Sequence, residues 1–205
     1  MDEDLILHED PRSGNCYKIK LTAALLGIPL QIRSYDIMQG ETRTPEFLAG
    51  VNANGRIPVL QIGDRFLPES NAACYYLATG SGLVPADRFD HADMLRWMFF
   101  EQYSHEPNIA TLRFWLHFVG EARLTEEQKA QTMAKQIAGC QALRLMDRHL
   151  AGRDWFVGET VTLADVALYA YSHVAADGGF HLGDYPAVQA WLARMAKAPG
   201  YIAMA

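Results

Sequence analysis

A proline inside an apolar β pattern constrains this chain more than any other feature. The stretch Asn54-Gly55-Arg56-Ile57-Pro58-Val59-Leu60 runs directly into Gln61-Ile62, and proline removes a ladder donor that a central strand needs. The pattern makes sense if the Ile57-Pro58 bond is cis and functional. The main chain of Ile57 would then turn outward, offering its N–H and C=O to an extended ligand as one more strand. Eleven residues after Pro58, Glu69-Ser70 follows Phe66-Leu67-Pro68 where a helix should begin. Exposed N–H groups, the helix dipole and a hydroxyl converge there, which suits a carboxylate. The two signals together describe a backbone-lined pocket for a small anionic peptide.

Around them, short strands alternate with helices through the first eighty residues. Leu5-Ile6-Leu7 and residues 30–35 read as strands, and residues 15–26 as a helix closed by Gly27. Thr44-Pro45-Glu46 has the cap-then-proline signature of a helix start. Val59-Leu60-Gln61-Ile62, the turn Gly63-Asp64 and Arg65-Phe66-Leu67 form a hairpin, followed by a helix over residues 69–78. The order is βαβαββα. Proline and glycine then cluster over residues 80–85, and no strand pattern returns beyond them. The expected organisation is an α/β domain over residues 1–80, a linker over 81–87 and an all-α domain over 88–205.

In the helical part, Met94, Leu95, Met98 and Phe99 recur at helical spacing, as do Leu143, Leu145, Met146 and Leu150. Leu124-Thr125-Glu126-Glu127-Gln128 caps a long helix with an acidic first turn. Thr162-Leu163-Ala164-Asp165 places a hydroxyl and a carboxylate three residues apart, the reciprocal pattern of a capping box, so Asp165 is expected to hold a helix start and not to catalyse.

The charge of -6 is spread without long runs, which argues against nucleic acid or an anionic membrane as the main partner. Three widely spaced cysteines, Cys16, Cys74 and Cys140, do not make a disulfide framework and fit a reducing cytosol. The acidic start Met1-Asp2-Glu3-Asp4 is unlike a signal peptide, and no apolar run approaches the ~20 residues that cross a bilayer. None of the seven histidines falls in a His-x-x-x-His pair with a nearby acid, so no metal site is expected. Phosphate-cradling and dinucleotide-binding glycine loops are not found either.

The Asn-Gly-Arg-Ile-Pro-Val-Leu stretch, the Glu-Ser pair, the proline-rich linker and the segment from Val157 through Thr162-Leu163-Ala164-Asp165 resemble the glutathione transferase family in order and spacing. The resemblance covers nearly the whole chain. It implies a thioredoxin-like domain that binds glutathione, an all-helical bundle domain, a second apolar substrate lodged between them, and a homodimer. Helix faces over residues 69–78 and 91–100 would form the dimer contact.

Classes of this family activate the glutathione sulfur with tyrosine, serine or cysteine, and the relevant turn here is Pro11-Arg12-Ser13-Gly14-Asn15-Cys16-Tyr17-Lys18. Ser13 takes the place of the first cysteine of a thioredoxin Cys-x-x-Cys motif and Cys16 that of the second. The pattern is similar to bacterial transferases in which a serine or threonine, with an asparagine two residues later, contacts the sulfur. Ser13 and Asn15 are therefore the expected thiolate-stabilising pair, with Ser13 as a plain N-cap the competing reading. Cys16 reads as a buried core thiol, and Tyr17 and Tyr103 are alternative phenols. The resemblance further implies Ser70 on the γ-glutamyl carboxylate, Glu69 near the ammonium, Ile57 and Pro58 beside the cysteinyl unit, and Arg56 and Arg43 near the glycyl carboxylate. Tyr103, Glu106, Arg113 and Phe114 would wall the electrophile pocket, unless Glu106 and Arg113 form an internal ion pair and the aromatics are core. Pro107 should kink their helix. The activity implied is conjugation of glutathione to an electrophilic small molecule. Glutathione-dependent disulfide reduction and a non-catalytic binding or dimerisation module are the alternatives.

Overall fold

The computed structural model describes residues 4–204, so the acidic start Met1-Asp2-Glu3 lies outside the described residues. The chain divides into two compact units, Met1–Ser81 with Ala198–Ala205, and Gly82–Lys197.

In the first unit a four-stranded sheet has the order β2-β1-β3-β4, with β1 Leu5–Glu9, β2 Gln31–Ser34, β3 Val59–Ile62 and β4 Arg65–Pro68. β2 runs parallel to β1, reached through helix α1, Gly14–Leu25, and the other neighbours are antiparallel. Central β1 and β3 are almost wholly buried, whereas the edge strands β2 and β4 are largely exposed. This is why Leu7, Val59 and Leu60 are fully buried, each contributing roughly 1.5–3 kcal/mol relative to exposure. Helix α2, Pro45–Gly50, starts at Thr44, whose hydroxyl accepts from Phe47 N–H. Helix α3, Ser70–Ala78, lies against α1.

The last residues were assigned to the helical half on sequence, but they belong to the first unit. The Tyr17 hydroxyl, buried and in need of an acceptor, donates to the Ile202 carbonyl at 2.6 Å. The tail crosses the end of α1 at Gly200, where φ is +81° and a Cβ would stand 2.8 Å from Ala24 O.

The exit from β1 is held by the buried carboxylate of Asp10. It accepts from Arg12 Nε at 2.8 Å and Nη2 at 2.5 Å, from Arg12 N–H at 3.0 Å and from Ile37 N–H at 3.2 Å. Arg12 also reaches Asp36 Oδ1 at 2.5 Å, clasping the loop after β1 to the loop after β2. Burial works against ionisation of Asp10, but these donors outweigh it and hold the carboxyl below its ordinary range.

The second unit is helical, with α4 Arg88–Phe100, α5 Glu106–Arg113, α6 Glu126–Leu150, α7 Leu163–Ser172 and α8 Pro186–Met195. Among the described residues no strand occurs in it. Pro107 cannot donate to the carbonyl four residues back, and its ring crowds that carbonyl. The backbone widens into a π-helical turn over Glu101–His105, with Glu106 N–H donating to Glu101 O. Nearby carbonyls take side-chain donors: Asn108 Nδ2 donates to Ser104 O at 2.7 Å and Lys135 Nζ to Pro107 O at 2.8 Å.

A second buried carboxylate, Asp165, organises this unit. It completes the capping box at the start of α7, accepting from Thr162 N–H at 2.9 Å and Thr162 Oγ1 at 3.1 Å. Its other oxygen accepts from Phe156 N–H at 3.1 Å and Trp191 Nε1 at 3.0 Å. Burial pushes this carboxyl up to about 6 against the pull of those donors.

Asp165→Asn should lower stability by about 3 kcal/mol, because an amide nitrogen then faces donors and leaves some of them unpaired. In a domain of this size that is a fall of roughly 10 °C in melting temperature, measurable by scanning calorimetry. Asp10 carries a depressed pKa in the folded state, so its contribution is present above the unfolded value near ~4 and is lost as pH falls through the lower folded value. Asp10→Asn should therefore flatten the acid limb of the stability profile, as read by urea titrations at stepped pH.

Candidate functional site

The antiparallel register lines up two chain exits and one chain entry at one end of the sheet, an edge formed by strand termini. His8 stands opposite Val59, and Val59 opposite Pro68. From this row β1 leads out to Ser13 and α1, β3 is entered from Ile57-Pro58, and β4 leads out to Glu69-Ser70 and α3. Residues far apart in sequence are thus brought to a common edge.

Ser13 is the N-cap of α1, and its hydroxyl oxygen accepts from Cys16 N–H at 3.4 Å. An N-cap serine that accepts in this way retains its O–H to donate, so the cap and a ligand contact are compatible. Burial pushes the Cys16 thiol up to about 12, which leaves it protonated and poorly nucleophilic at neutral pH. Tyr17 is buried and spent on the Ile202 carbonyl.

The Ile57-Pro58 bond is cis. Its loop is braced from both sides: Asn52 Nδ2 donates to Arg56 O at 2.9 Å, and Arg43 Nη1 to Asn54 O at 3.1 Å. Gly55, at φ +63°, is required here, because a Cβ would come within 2.6 Å of Arg43 Nη1 and 3.0 Å of Thr42 O. Arg43 therefore supports the loop backbone, and the Arg56 side chain is exposed.

Glu69 is exposed and adopts φ 70°, ψ 109°, a conformation rare for a residue with a side chain. Such outliers persist where surrounding structure enforces them and concentrate at ligand sites. As N-cap of α3 it supplies no side-chain hydrogen bond, so the first-turn N–H groups are not capped by it. Ser70 Oγ donates to Asn15 Oδ1 at 3.4 Å and accepts from Lys18 Nζ at 3.5 Å. The two predicted sites, at the starts of α1 and α3, are therefore in direct contact.

Lys18 was not singled out on sequence, because a lysine within a helix reads as a solvated position. The signal was its place between Tyr17 and Ile19 in a helix whose flanking residues are apolar. Asp10 and Arg12 were missed as well, since an Asp-x-Arg turn carries no periodic pattern.

The four candidates for an electrophile pocket lie in the second unit and play unlike parts. Tyr103 is 89% exposed, Phe114 is 36% exposed and Glu106 is half-buried. Arg113 is buried, pairs with Asp177 at 3.1 Å and lies over the Phe118 ring. A cavity of about 310 Å³ in this unit is lined by Leu116, Leu124, Thr132, Met133 and Gln136 among others, and by none of those four. Among the described residues no group of acids, histidines and cysteines could hold a metal ion.

Comparison with known proteins agrees with this architecture. The family models described as Glutathione S-transferase, N-terminal domain and Glutathione S-transferase, C-terminal domain match residues 3–79 and 95–199. A crystal structure of a glutathione S-transferase from Pseudomonas fluorescens Pf-5 is 44% identical, with a TM-score of 0.92 over 98% of each chain. The Glutathione S-transferase-like protein LUC7 of Fusarium sp is 31% identical over 89% of this chain and 84% of its own length. Elongation factor 1-gamma 3 of Oryza sativa subsp. japonica is 29% identical over 80% of this chain, a match that spans 39% of that relative. With both family models matched in order and a sheet edge that gathers Ser13, cis-Pro58 and Ser70, the chain belongs to the glutathione S-transferase family.

Proposed function

We propose that this protein is a glutathione transferase that ionises the thiol of glutathione and adds the sulfur to an electrophilic small molecule. The observation that carries this reading is the shared sheet edge, where the Ser13 cap of α1, the cis-Pro58 turn and the uncapped start of α3 lie together. Glutathione is an extended anionic peptide, and each of its parts has a counterpart there. Ser70 and the first turn of α3 take the γ-glutamyl carboxylate, and exposed Glu69 takes the ammonium. The main chain at Ile57-Pro58 pairs with the cysteinyl unit, which sets the sulfur before Ser13 and Asn15. Arg56 serves the glycyl carboxylate, with Arg43 holding the loop that presents it.

A cysteine-type thiol has a pKa of about 8.5, and each unit of depression requires ~1.4 kcal/mol in favour of the thiolate. A charge-assisted hydrogen bond from Ser13, at about 1.5–3 kcal/mol, with a smaller part from the helix dipole, lowers it by one to two units. The electrophile meets the second unit, for which exposed Tyr103 and Phe114 are the proposed aromatic contacts. The proposed enzyme is a cytosolic homodimer. Phe89 and Phe99 of α4, 77% and 70% exposed, support an apolar contact on that helix, and among the described residues no helix is long and apolar enough to cross a membrane.

A second reading, a module that binds without chemistry, is favoured by the likeness to an elongation factor 1-gamma. Ultraviolet difference titration with glutathione separates the two. A thiolate band at neutral pH is expected for the transferase, and no binding at all would leave only the module. Ser13→Ala should keep glutathione affinity, lose the thiolate band and slow conjugation roughly 10- to 100-fold. Undiminished conjugation by Ser13→Ala would remove Ser13 from the mechanism. A panel of electrophiles and disulfides, run with the wild-type protein, distinguishes conjugation from disulfide reduction.

A further inference from the structure

The turn that carries the chain from β1 to Ser13 is built from charged groups. Asp10 holds it twice: its carbonyl accepts from Ser13 N–H at 3.0 Å, and its buried carboxylate accepts from Arg12 N–H at 3.0 Å and Arg12 Nε at 2.8 Å. Arg12 Nη2 then bridges Asp10 Oδ2 and Asp36 Oδ1, each at 2.5 Å. One guanidinium therefore stands between two carboxylates, on the residue directly before Ser13. Asp10 is held in its charged form, and the hydrogen bond from Arg12 keeps the Asp36 carboxyl below its ordinary range, so both are anionic wherever a thiol titrates.

Without Arg12, a thiolate before Ser13 would meet two like charges, each of which disfavours its formation. The first turn of α1 adds no acid. Of the other charged groups around this turn, Glu9 is paired with Lys20 at 2.7 Å, Glu41 accepts from Asp36 N–H at 2.7 Å, Lys18 reaches Ser70, and Glu69 precedes α3. Among the described residues, Arg12 is the one cation on the Asp10 carboxylate.

Resting on the glutathione reading above, we infer that Arg12 is a positioning residue with a second, electrostatic task, which is to shield the thiolate at Ser13 from the carboxylates of Asp10 and Asp36. One cation and two anions leave this clasp with one net negative charge. Removing Arg12 makes it two, and neutralising either acid makes it none. The two halves of the clasp therefore act on the sulfur with opposite sign, which a residue that only shaped the turn would not do.

The test measures the pH midpoint at which bound glutathione ionises, read as thiolate absorbance in ultraviolet difference titrations at stepped pH. It compares the wild-type protein with Arg12→Gln, Arg12→Lys, Asp10→Asn and Asp36→Asn. Arg12→Gln should raise the midpoint by roughly half a unit to one unit, and the two acid variants should lower it by that much or less. Arg12→Lys keeps the charge and loses the fork, and should stay within about 0.3 units of the wild-type protein. A rise in every variant, the mark of a displaced Ser13, overturns the inference, as does an unchanged midpoint in Arg12→Gln. If Asp10→Asn or Arg12→Gln does not fold, Asp36→Asn decides, because that side chain is 41% exposed and an amide there still accepts from Arg12 and from Met38 N–H. A lowered midpoint in Asp36→Asn supports the inference, and a raised or unchanged one overturns it. A wild-type protein that binds no glutathione, or binds it with no thiolate band, overturns the transferase reading and this inference with it. A thiolate whose midpoint shifts with the wrong signs overturns the inference alone.

Discussion

The register of β1, β3 and β4 determines where everything chemical in the first unit can be. Because His8, Val59 and Pro68 share a row, the exits of β1 and β4 and the entry to β3 lie together. Side chains alternate faces along a strand, so a slip of one residue would exchange the faces on which Val59 and Leu60 pack. Val59 and Leu60 are fully buried, which makes such a slip costly. The hydrophobic pattern that stabilises the sheet therefore also aligns the functional edge, and no separate device is needed to bring α1 and α3 into contact.

Two buried carboxylates extend that logic from strands to loops. Asp10 ties the segment ahead of Ser13 to the loop after β2, and Asp165 ties the start of α7 to Phe156 and Trp191. Each is surrounded by donors, the condition under which an acid can be taken out of water. They differ in their partners. Asp10 has a guanidinium and is held in its charged form, whereas Asp165 has only neutral donors and burial raises its pKa. The first arrangement fixes the turn that carries Ser13, the proposed thiolate-stabilising residue, and the second joins three segments of a helical core.

Much of this was legible in the sequence where the cause is local. The Thr162 and Asp165 box, the Thr125 cap of α6 and the Thr44-Pro45 start of α2 all appear as read, because capping depends on residues three or four apart. The cis bond at Pro58 could be anticipated because proline conflicts with a β ladder. Contacts made by the fold were not legible. Trp191 reaches Asp165 across 26 residues, Asp177 meets Arg113 across 64, and buried Lys18 meets Ser70 of α3 across 52. Helical periodicity assigns one buried stripe to a helix, whereas α1 is buried at most of its positions, so nothing in the pattern marks Lys18 as buried. Pro107 marked a disturbance, but whether a helix bends or widens around a proline depends on the donors that neighbours supply, here Lys135 from α6.

The buried phenol of Tyr17 finds its acceptor at Ile202, 185 residues away in the chain. The first unit is therefore discontinuous, and the helical unit is an insertion between its two parts. In evolutionary terms this is a barrier to modular reuse. A gene fragment ending at residue 81 would encode every strand and helix of the first unit, yet it would strand a phenol in the interior and uncover the end of α1 where Gly200 now crosses. The short tail acts as a clasp that couples inheritance of the two halves, favouring their exchange as one cassette over their separate transfer.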